Sequence, residues 1–142
     1  MDADVLRQFA EEWIPFNKLL GIRALRIERG DVLFEIAFRD ELIGDPQRRA
    51  LHGGVLSALA DTAGGFAVWS ALDDPRARVS TIDLRVDYLR PGKQEDLLAH
   101  ATLVRAGKTV GVADVRLFHP GDESTTIATG KGVYAIRHAR GG

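Results

Sequence analysis

The chain has 142 residues, of which 45% are hydrophobic and 27% charged, with a formal net charge of −1 and no cysteine. This composition is typical of one globular domain with its own core, so we expect a single domain over 1–142 that begins with a short helical segment. The near-neutral charge disfavours a nucleic-acid partner. The lack of cysteine excludes disulfides, thiolate metal sites and a cysteine nucleophile. With no signal-peptide pattern and no apolar run of roughly 20 residues, we expect a cytoplasmic protein without a membrane partner.

The first third of the chain carries two kinds of periodicity. Leu6, Phe9 and Trp13 recur at helical spacing until Pro15 interrupts the pattern, and a second short helical turn ends near Gly21. Apolar and polar residues then alternate on both sides of a Gly-Asp turn, which predicts a β-hairpin. The predicted elements are helices at 4–14 and 16–20, strands at 22–29 and 31–39, and a loop at 40–51.

A long helix is predicted from Gly53 to about Leu72. It is apolar on every face and rich in alanine and glycine, so it should be buried all round with other elements packed closely against it. The segments that follow alternate as strands do and are separated by Pro-Gly and Gly-Lys breaks. The predicted strands are 78–90, 95–106, 110–119 and 124–137. Four strands after one buried helix predict an α+β fold, in which an antiparallel sheet curls around the helix.

The start of this helix has the pattern of a binding site. His52-Gly53-Gly54 precedes it, and the first amides of a helix are unpaired and lie at the positive end of the helix dipole. Glycine has no Cβ, so an electron-rich oxygen can approach these amides closely. Asp61 is the one charged residue between Gly53 and Leu72, and a buried carboxylate is costly unless something uses it. The alternative without a function is that Gly53 and Gly54 only allow a tight helix start and that Asp61 is a structural carboxylate.

The combined motifs resemble those of the hotdog-fold acyl-CoA thioesterases of the PaaI type. The resemblance covers roughly residues 16–137. The residues that carry it are His52-Gly53-Gly54, Ala60-Asp61, Asp83 and Tyr88-Leu89-Arg90-Pro91-Gly92. It implies a hotdog fold and hydrolysis of aryl-, arylacetyl- or short- to medium-chain acyl-CoA to free acid and CoA. It also implies a site between two subunits and no metal or redox cofactor, coenzyme A being part of the substrate.

The resemblance also implies a role for each matching residue. The Gly53 amide would polarise the thioester carbonyl, Asp61 would act as nucleophile or as general base on water, and Thr81 would hold that water or carboxylate. A polar residue in the preceding loop would assist. Where relatives have Asn, this chain has Asp45. Two carboxylates near one site would raise the pKa of one, so that Asp45 could donate while protonated; otherwise Gln47 would take this role.

Further candidates surround the motif. His52 is a possible base, although a histidine that hydrogen-bonds the loop is the favoured interpretation, and Gly54 would let the ligand approach closely. CoA phosphates call for basic residues at the site mouth. The candidates at loops and strand ends are Arg90, Lys93, Lys108 and Lys131. For each of these four residues, a solvent-exposed charge with no role in binding is an equally good interpretation.

The spacing of Gly53 and Asp61 has a consequence for assembly. Eight residues of helix separate their Cα atoms by about 12 Å. A carbonyl about 3 Å from the Gly53 amide is therefore beyond the reach of Asp61 on the same helix. If both act in one reaction, Asp61 comes from a second copy, which predicts an obligate two-fold dimer and allows a dimer of dimers. The alternatives are an enoyl or hydroxyacyl thioester hydratase and a non-catalytic acyl-CoA-binding module.

Overall fold

A computed structural model describes residues 1–139 of the chain. Its N-terminal elements are α1 (Ala3–Gln8), a π-helical turn (Phe9–Trp13), α2 (Pro15–Leu20), β1 (Ile22–Glu28), β2 (Asp31–Ile36), a 3-10 turn (Asp40–Leu42), β3 (Ile43–Asp45) and β4 (Ala50–Leu51). The central helix α3 (Gly53–Ser70) follows, and then β5 (Arg78–Tyr88), β6 (Leu97–Ala106), β7 (Val110–Phe118) and β8 (Ala128–Arg137). Across these described residues, no helix has the length and apolar character needed to cross a membrane.

Six strands form one antiparallel sheet in the order β1-β2-β6-β7-β8-β5, and the sheet wraps around α3. The predicted α+β hotdog fold is thereby confirmed. Ala60, Ala63 and Ala67 of α3 are fully buried, and Gly64 lies between them. These small side chains allow the sheet to approach the helix closely, as the composition of the helix predicted.

The predicted helix at 4–14 is divided in two. The Ile14 amide donates to the Phe9 carbonyl at 3.2 Å, a five-residue bond that widens the helix into a π turn. Ile14 itself is extended, the conformation favoured before a proline, so the chain starts again as α2 at Pro15. Helix α2 ends at Gly21, which has the left-handed φ of 73° that glycine adopts at helix ends.

The segment predicted as a loop contains a second, two-stranded sheet. Ile43 pairs with Leu51 and Asp45 with Ala50, so β3 and β4 form a short hairpin immediately before α3. Strands of two or three residues are too short to show an alternating pattern. The hairpin therefore could not be recognised from the sequence.

Helix α3 is not buried all round in a single copy, contrary to the sequence prediction. A half-buried stripe runs along one side of it, made of Ser57, Ala58, Asp61, Thr62 and Gly65. The stripe lies beside β5, which is the edge strand of the sheet and has exposed side chains along most of its length. The half-buried side of α3 and the exposed edge strand of the sheet are thus adjacent.

Replacement of Gly132 by alanine is expected to destabilise the fold by about 1–3 kcal/mol, because the buried core here has no room for a methyl group. A Cβ at Gly132 would lie 2.5 Å from ring carbons of Tyr134, which is fully buried. Urea denaturation measures the effect. Gly65→Ala is the matched control, since its Cβ would meet the same ring at an ordinary 3.4 Å. Equal stability of the two variants would contradict the prediction.

Candidate active site

Among residues 1–139, the first turn of α3 leaves one amide without a hydrogen-bond partner. The Gly54 amide donates to Nδ1 of His52 at 2.7 Å, and the Val55 amide donates to the His52 carbonyl at 2.9 Å. Within residues 1–139 the Gly53 amide donates to no protein group. Gly53 therefore presents a free N–H at the positive end of the helix dipole, whereas the N–H of Gly54 is engaged.

His52 is the N-cap of α3. Its Nδ1 accepts the Gly54 amide, so a neutral imidazole carries its proton on Nε2. A Cβ at Gly54 would lie 2.8 Å from this Nδ1, and one at Gly44 would lie 2.7 Å from the His52 Cα. The two glycines make room for the histidine, and this agrees with the helix-start role favoured for His52 from the sequence.

The carbonyl of Gly53 is hydrogen-bonded by Tyr88, which in turn contacts Ser57. The Tyr88 hydroxyl donates to the Gly53 carbonyl at 3.0 Å, and the Ser57 hydroxyl is hydrogen-bonded to Tyr88. A Cβ at Gly53 would lie 3.3 Å from the Tyr88 ring. Neither residue was assigned to the site from the sequence. Ser57 stands one turn after Gly53 and one turn before Asp61, and this helical spacing was the available signal.

Asp61 is fixed at one carboxylate oxygen and free at the other. Its Oδ1 accepts a hydrogen bond from the Thr81 hydroxyl at 2.8 Å, and Oδ2 has no partner among residues 1–139. The buried Tyr134 donates its hydroxyl to the Asp61 backbone carbonyl at 3.0 Å. Burial and the nearby Asp61 charge raise the pKa of Tyr134, so this tyrosine remains a donor. The half-buried carboxylate can accept a proton at Oδ2.

A cavity of about 220 Å³ opens beside Asp61. It follows α3 from Asp61 to Trp69 and is bordered by β5, β8 and the N-terminal segment. Ile14, Phe66 and Val79 give it apolar walls. Asp61 is its only charged lining residue in the described chain. The cavity therefore suits an apolar group attached to a centre that reacts near Asp61.

The polar loop residues lie in the β3–β4 hairpin. The Asp45 carboxylate accepts hydrogen bonds from the Gln47 and Arg48 amides at 3.0 and 3.2 Å, and Arg48 also lies 3.6 Å from it as an ion pair. Asp45 is thus held as an acceptor within its own turn. The Gln47 side chain is exposed. The roles of both residues toward a ligand stay predictions.

The basic candidates fall into two groups. Lys93 and Arg90 follow β5 close to the start of α3, and Lys93 lines a hollow of about 340 Å³ with Arg48 and Arg49. Lys131 faces away from α3, since it alternates with the inward-facing Tyr134, and it pairs with Asp114 at 2.7 Å. Lys108 lines a hollow at the far end of α3. Only the first group lies near Gly53 of the same chain.

A sheet wrapped around one helix, with a free amide at the helix start and a carboxylate two turns later, defines a hotdog-fold thioester hydrolase. The family described as the thioesterase superfamily matches residues 49–126. The chain is 38% identical over 137 residues to the medium/long-chain acyl-CoA thioesterase YigI of Escherichia coli (strain K12), covering 87% of this chain and 86% of that protein. It is 31% identical over 115 residues to the acyl-coenzyme A thioesterase PaaI of the same organism, covering 80% and 78%.

A solved structure agrees with these relatives. The crystal structure of a thioesterase family protein from Silicibacter pomeroyi matches with a TM-score of 0.86 and 27% identity, covering 96% of this chain and 98% of that one. The chain belongs to the thioesterase superfamily. The resemblance to hotdog-fold thioesterases of the PaaI type and the assignment as a thioester hydrolase are confirmed.

Proposed function

We propose that this chain hydrolyses acyl-CoA thioesters to free acid and CoA at sites shared between two copies. In the described part of the chain, the Gly53 amide at the start of α3 and Oδ2 of Asp61 two turns later both lack a hydrogen-bond partner, and this pair of observations carries the proposal. The apolar cavity beside Asp61 supports an acyl substituent of medium length or an arylacetyl group. The names of the relatives YigI and PaaI support coenzyme A as the thiol.

In the proposed reaction the thioester oxygen accepts the Gly53 N–H, which stabilises the negative charge that develops there. Oδ2 of Asp61 takes a proton from water as the water oxygen bonds to the acyl carbon, while Thr81 orients the carboxylate through Oδ1. The tetrahedral intermediate then expels the CoA sulfur, which receives the proton. Direct attack by Asp61 through an anhydride is the alternative use of this carboxylate. Neither route needs a metal or redox cofactor.

The spacing of Gly53 and Asp61 along α3 supports the shared site. Gly53 and Asp61 stand eight residues apart on this one helix, or about 12 Å along its axis. One carbonyl within hydrogen-bond distance of Gly53 cannot also lie beside Asp61 of the same chain. We therefore pair Asp61 of one copy with Gly53 of the partner subunit.

Strand β5 supplies a surface that would bring these residues together. It is 11 residues long, lies at the sheet edge and exposes Ile82 and Tyr88. Such an open edge can pair with a second copy. Thr81 contacts Asp61 and Tyr88 contacts Gly53, and antiparallel pairing about a two-fold axis near the strand centre would put Thr81 opposite the partner's Tyr88. Asp61 of each copy would then face Gly53 of the other.

The basic hollow near the start of α3 is our proposed position for the CoA phosphates. Arg48, Arg49 and Lys93 line it. Gly92, which also lines it, accepts a hydrogen bond at 3.0 Å from the amide of Leu51, two residues before α3 begins. One guanidinium group can donate two parallel hydrogen bonds to the oxygens of a phosphate. A cytoplasmic location, a dimer of dimers and roles for Lys108 and Lys131 remain predictions from the sequence.

The direct test is release of free thiol from a panel of aryl-, arylacetyl- and straight-chain acyl-CoAs. A thiol-reactive chromophore gives no protein background, because the chain has no cysteine. We expect turnover of at least one acyl class, with free acid as the second product. Saturable binding without thiol release would instead favour a binding module. Hydration of an enoyl-CoA without thiol release would favour a hydratase.

Mixing two inactive variants is expected to restore activity if the site is shared. A heterodimer of Asp61→Asn and Gly53→Pro chains has one doubly altered site and one intact site. Random assortment makes half of the dimers mixed, so about a quarter of wild-type turnover should return after co-refolding. Each variant refolded alone is the control. No recovery despite heterodimers detected by mass spectrometry would contradict the shared site.

A further inference from the structure

We propose that the acyl cavity selects acyl groups that carry an uncharged oxygen acceptor far from the thioester. The inference rests on the proposed function, because it concerns the acyl group of the same substrate. It depends on two buried N–H groups of Asn17 and Trp69, neither of which the thioester chemistry uses.

Both residues line the cavity beside Asp61. Asn17, on α2, is only 3% exposed, and Trp69, on the last turn of α3, is 8% exposed. In residues 1–139 neither Nδ2 of Asn17 nor Nε1 of Trp69 has a hydrogen-bond partner. The two residues come from separate helices and border the same cavity, and protein atoms cover both nitrogens. We take these two donors to form a polar end of the pocket.

Unpaired buried donors are unfavourable, and native proteins keep few of them. A pocket made only for saturated chains would be more stable with an apolar side chain of similar size at Asn17. An oxygen on the acyl group would supply the missing acceptor. The terminal torsion of asparagine is broad, so in the proposed complex the amide of Asn17 rotates to reach the acyl oxygen.

The position and charge of the cavity residues indicate where on the acyl chain this oxygen lies and which functional group carries it. Trp69 lies eight residues from Asp61 along α3, or about 12 Å along the helix axis, so the oxygen belongs toward the far end of the acyl group. No described cavity residue is cationic, and Asp61 is an acid. A ketone or hydroxyl therefore fits, whereas a carboxylate would lack a counter-charge.

Matched substrates test this selection. Octanoyl-CoA is compared with 5-oxo-, 6-oxo- and 7-oxooctanoyl-CoA, the three ketones whose oxygen lies in the half of the chain furthest from the thioester. A ketone accepts hydrogen bonds and cannot donate them, so it reports on the N–H groups alone. We expect at least one ketone position to raise kcat/KM about ten-fold over octanoyl-CoA.

Two variants remove one donor each. Asn17→Leu keeps a similar volume, and Trp69→Phe keeps an aromatic ring against Phe9 and Phe66. We expect each to reduce the ketone preference about ten-fold, measured as a ratio of kcat/KM values within one protein sample so that folding losses cancel. The two variants are independent, so failure of one to fold leaves the other as the test.

The outcomes separate this inference from the proposed function. If octanoyl-CoA is hydrolysed and no ketone is preferred, the selection is overturned and the thioesterase stands. An unchanged preference in both variants also overturns the assignment to Asn17 and Trp69. If the wild-type chain hydrolyses no acyl-CoA of the wider panel, the proposed function fails and this inference fails with it.

Discussion

Asp61→Asn is expected to lower kcat for acyl-CoA hydrolysis by about 10²–10⁴-fold, the usual contribution of a general base. An amide is nearly the same size as the carboxylate and can still accept the Thr81 hydroxyl through its oxygen. It cannot take a proton from water. The side chain that hydrogen-bonds the Asp61 carboxylate is the neutral Thr81, so the substitution leaves no unpaired charge in the described chain and the fold should survive. Thiol release under substrate saturation measures the loss.

The control for this variant is Asp73→Asn. Asp73 is an exposed carboxylate just beyond α3, and its hydrogen-bonded partner is Arg29 at 2.9 Å. The Asp73→Asn variant loses the same charge as Asp61→Asn without altering the contacts of Gly53 or Asp61, so its kcat should stay near the wild-type value. Thermal unfolding and acyl-CoA binding are measured on both proteins. Near-wild-type turnover by folded Asp61→Asn would remove the carboxylate from the mechanism.

Gly53→Pro is expected to lower kcat by about 10²–10³-fold, the typical cost of losing one oxyanion donor. Gly53 is the first residue of α3, a position at which proline is well tolerated because its missing N–H is unpaired in any case. His52 before it has φ −62° and ψ 132°, the extended conformation that a following proline favours. The substitution thus removes the donor with little damage to the helix.

Gly53→Ala separates the donor from the added bulk. Alanine keeps the N–H, and its Cβ would lie 3.3 Å from Tyr88 Cε1, a tight contact that proline would also make. The ratio of kcat between the alanine and proline variants therefore reports the amide. Equal kcat values for the two variants, measured on the same acyl-CoA, would mean that Gly53 acts through shape and not through its N–H.

The candidate site was only partly accessible from the sequence. Gly53 and Asp61 stood out because residues at fixed spacing on one helix keep their separation in any fold. The role of Thr81 came from the family resemblance, and its hydroxyl contacts Asp61. Tyr88 was noted as part of a motif, but its hydrogen bond to Gly53 joins residues 35 positions apart. The unpaired donors of Asn17 and Trp69 were equally hidden, because burial without a partner depends on every neighbouring side chain.

The sequence by itself determined the central helix, the four strands that follow it and the separation of Gly53 from Asp61, because periodicity and helix rise are local properties. These patterns predicted an α+β fold, and the hotdog architecture was implied by the family resemblance. The π turn at Phe9–Trp13 and the β3–β4 hairpin were visible only in the tertiary structure. Only the tertiary structure decided that Gly54 is engaged by His52, that Lys131 faces away from α3 and that one side of α3 stays half-buried beside the edge strand β5. These features depend on strand order and register, and a one-residue change of register would turn every side chain to the other face.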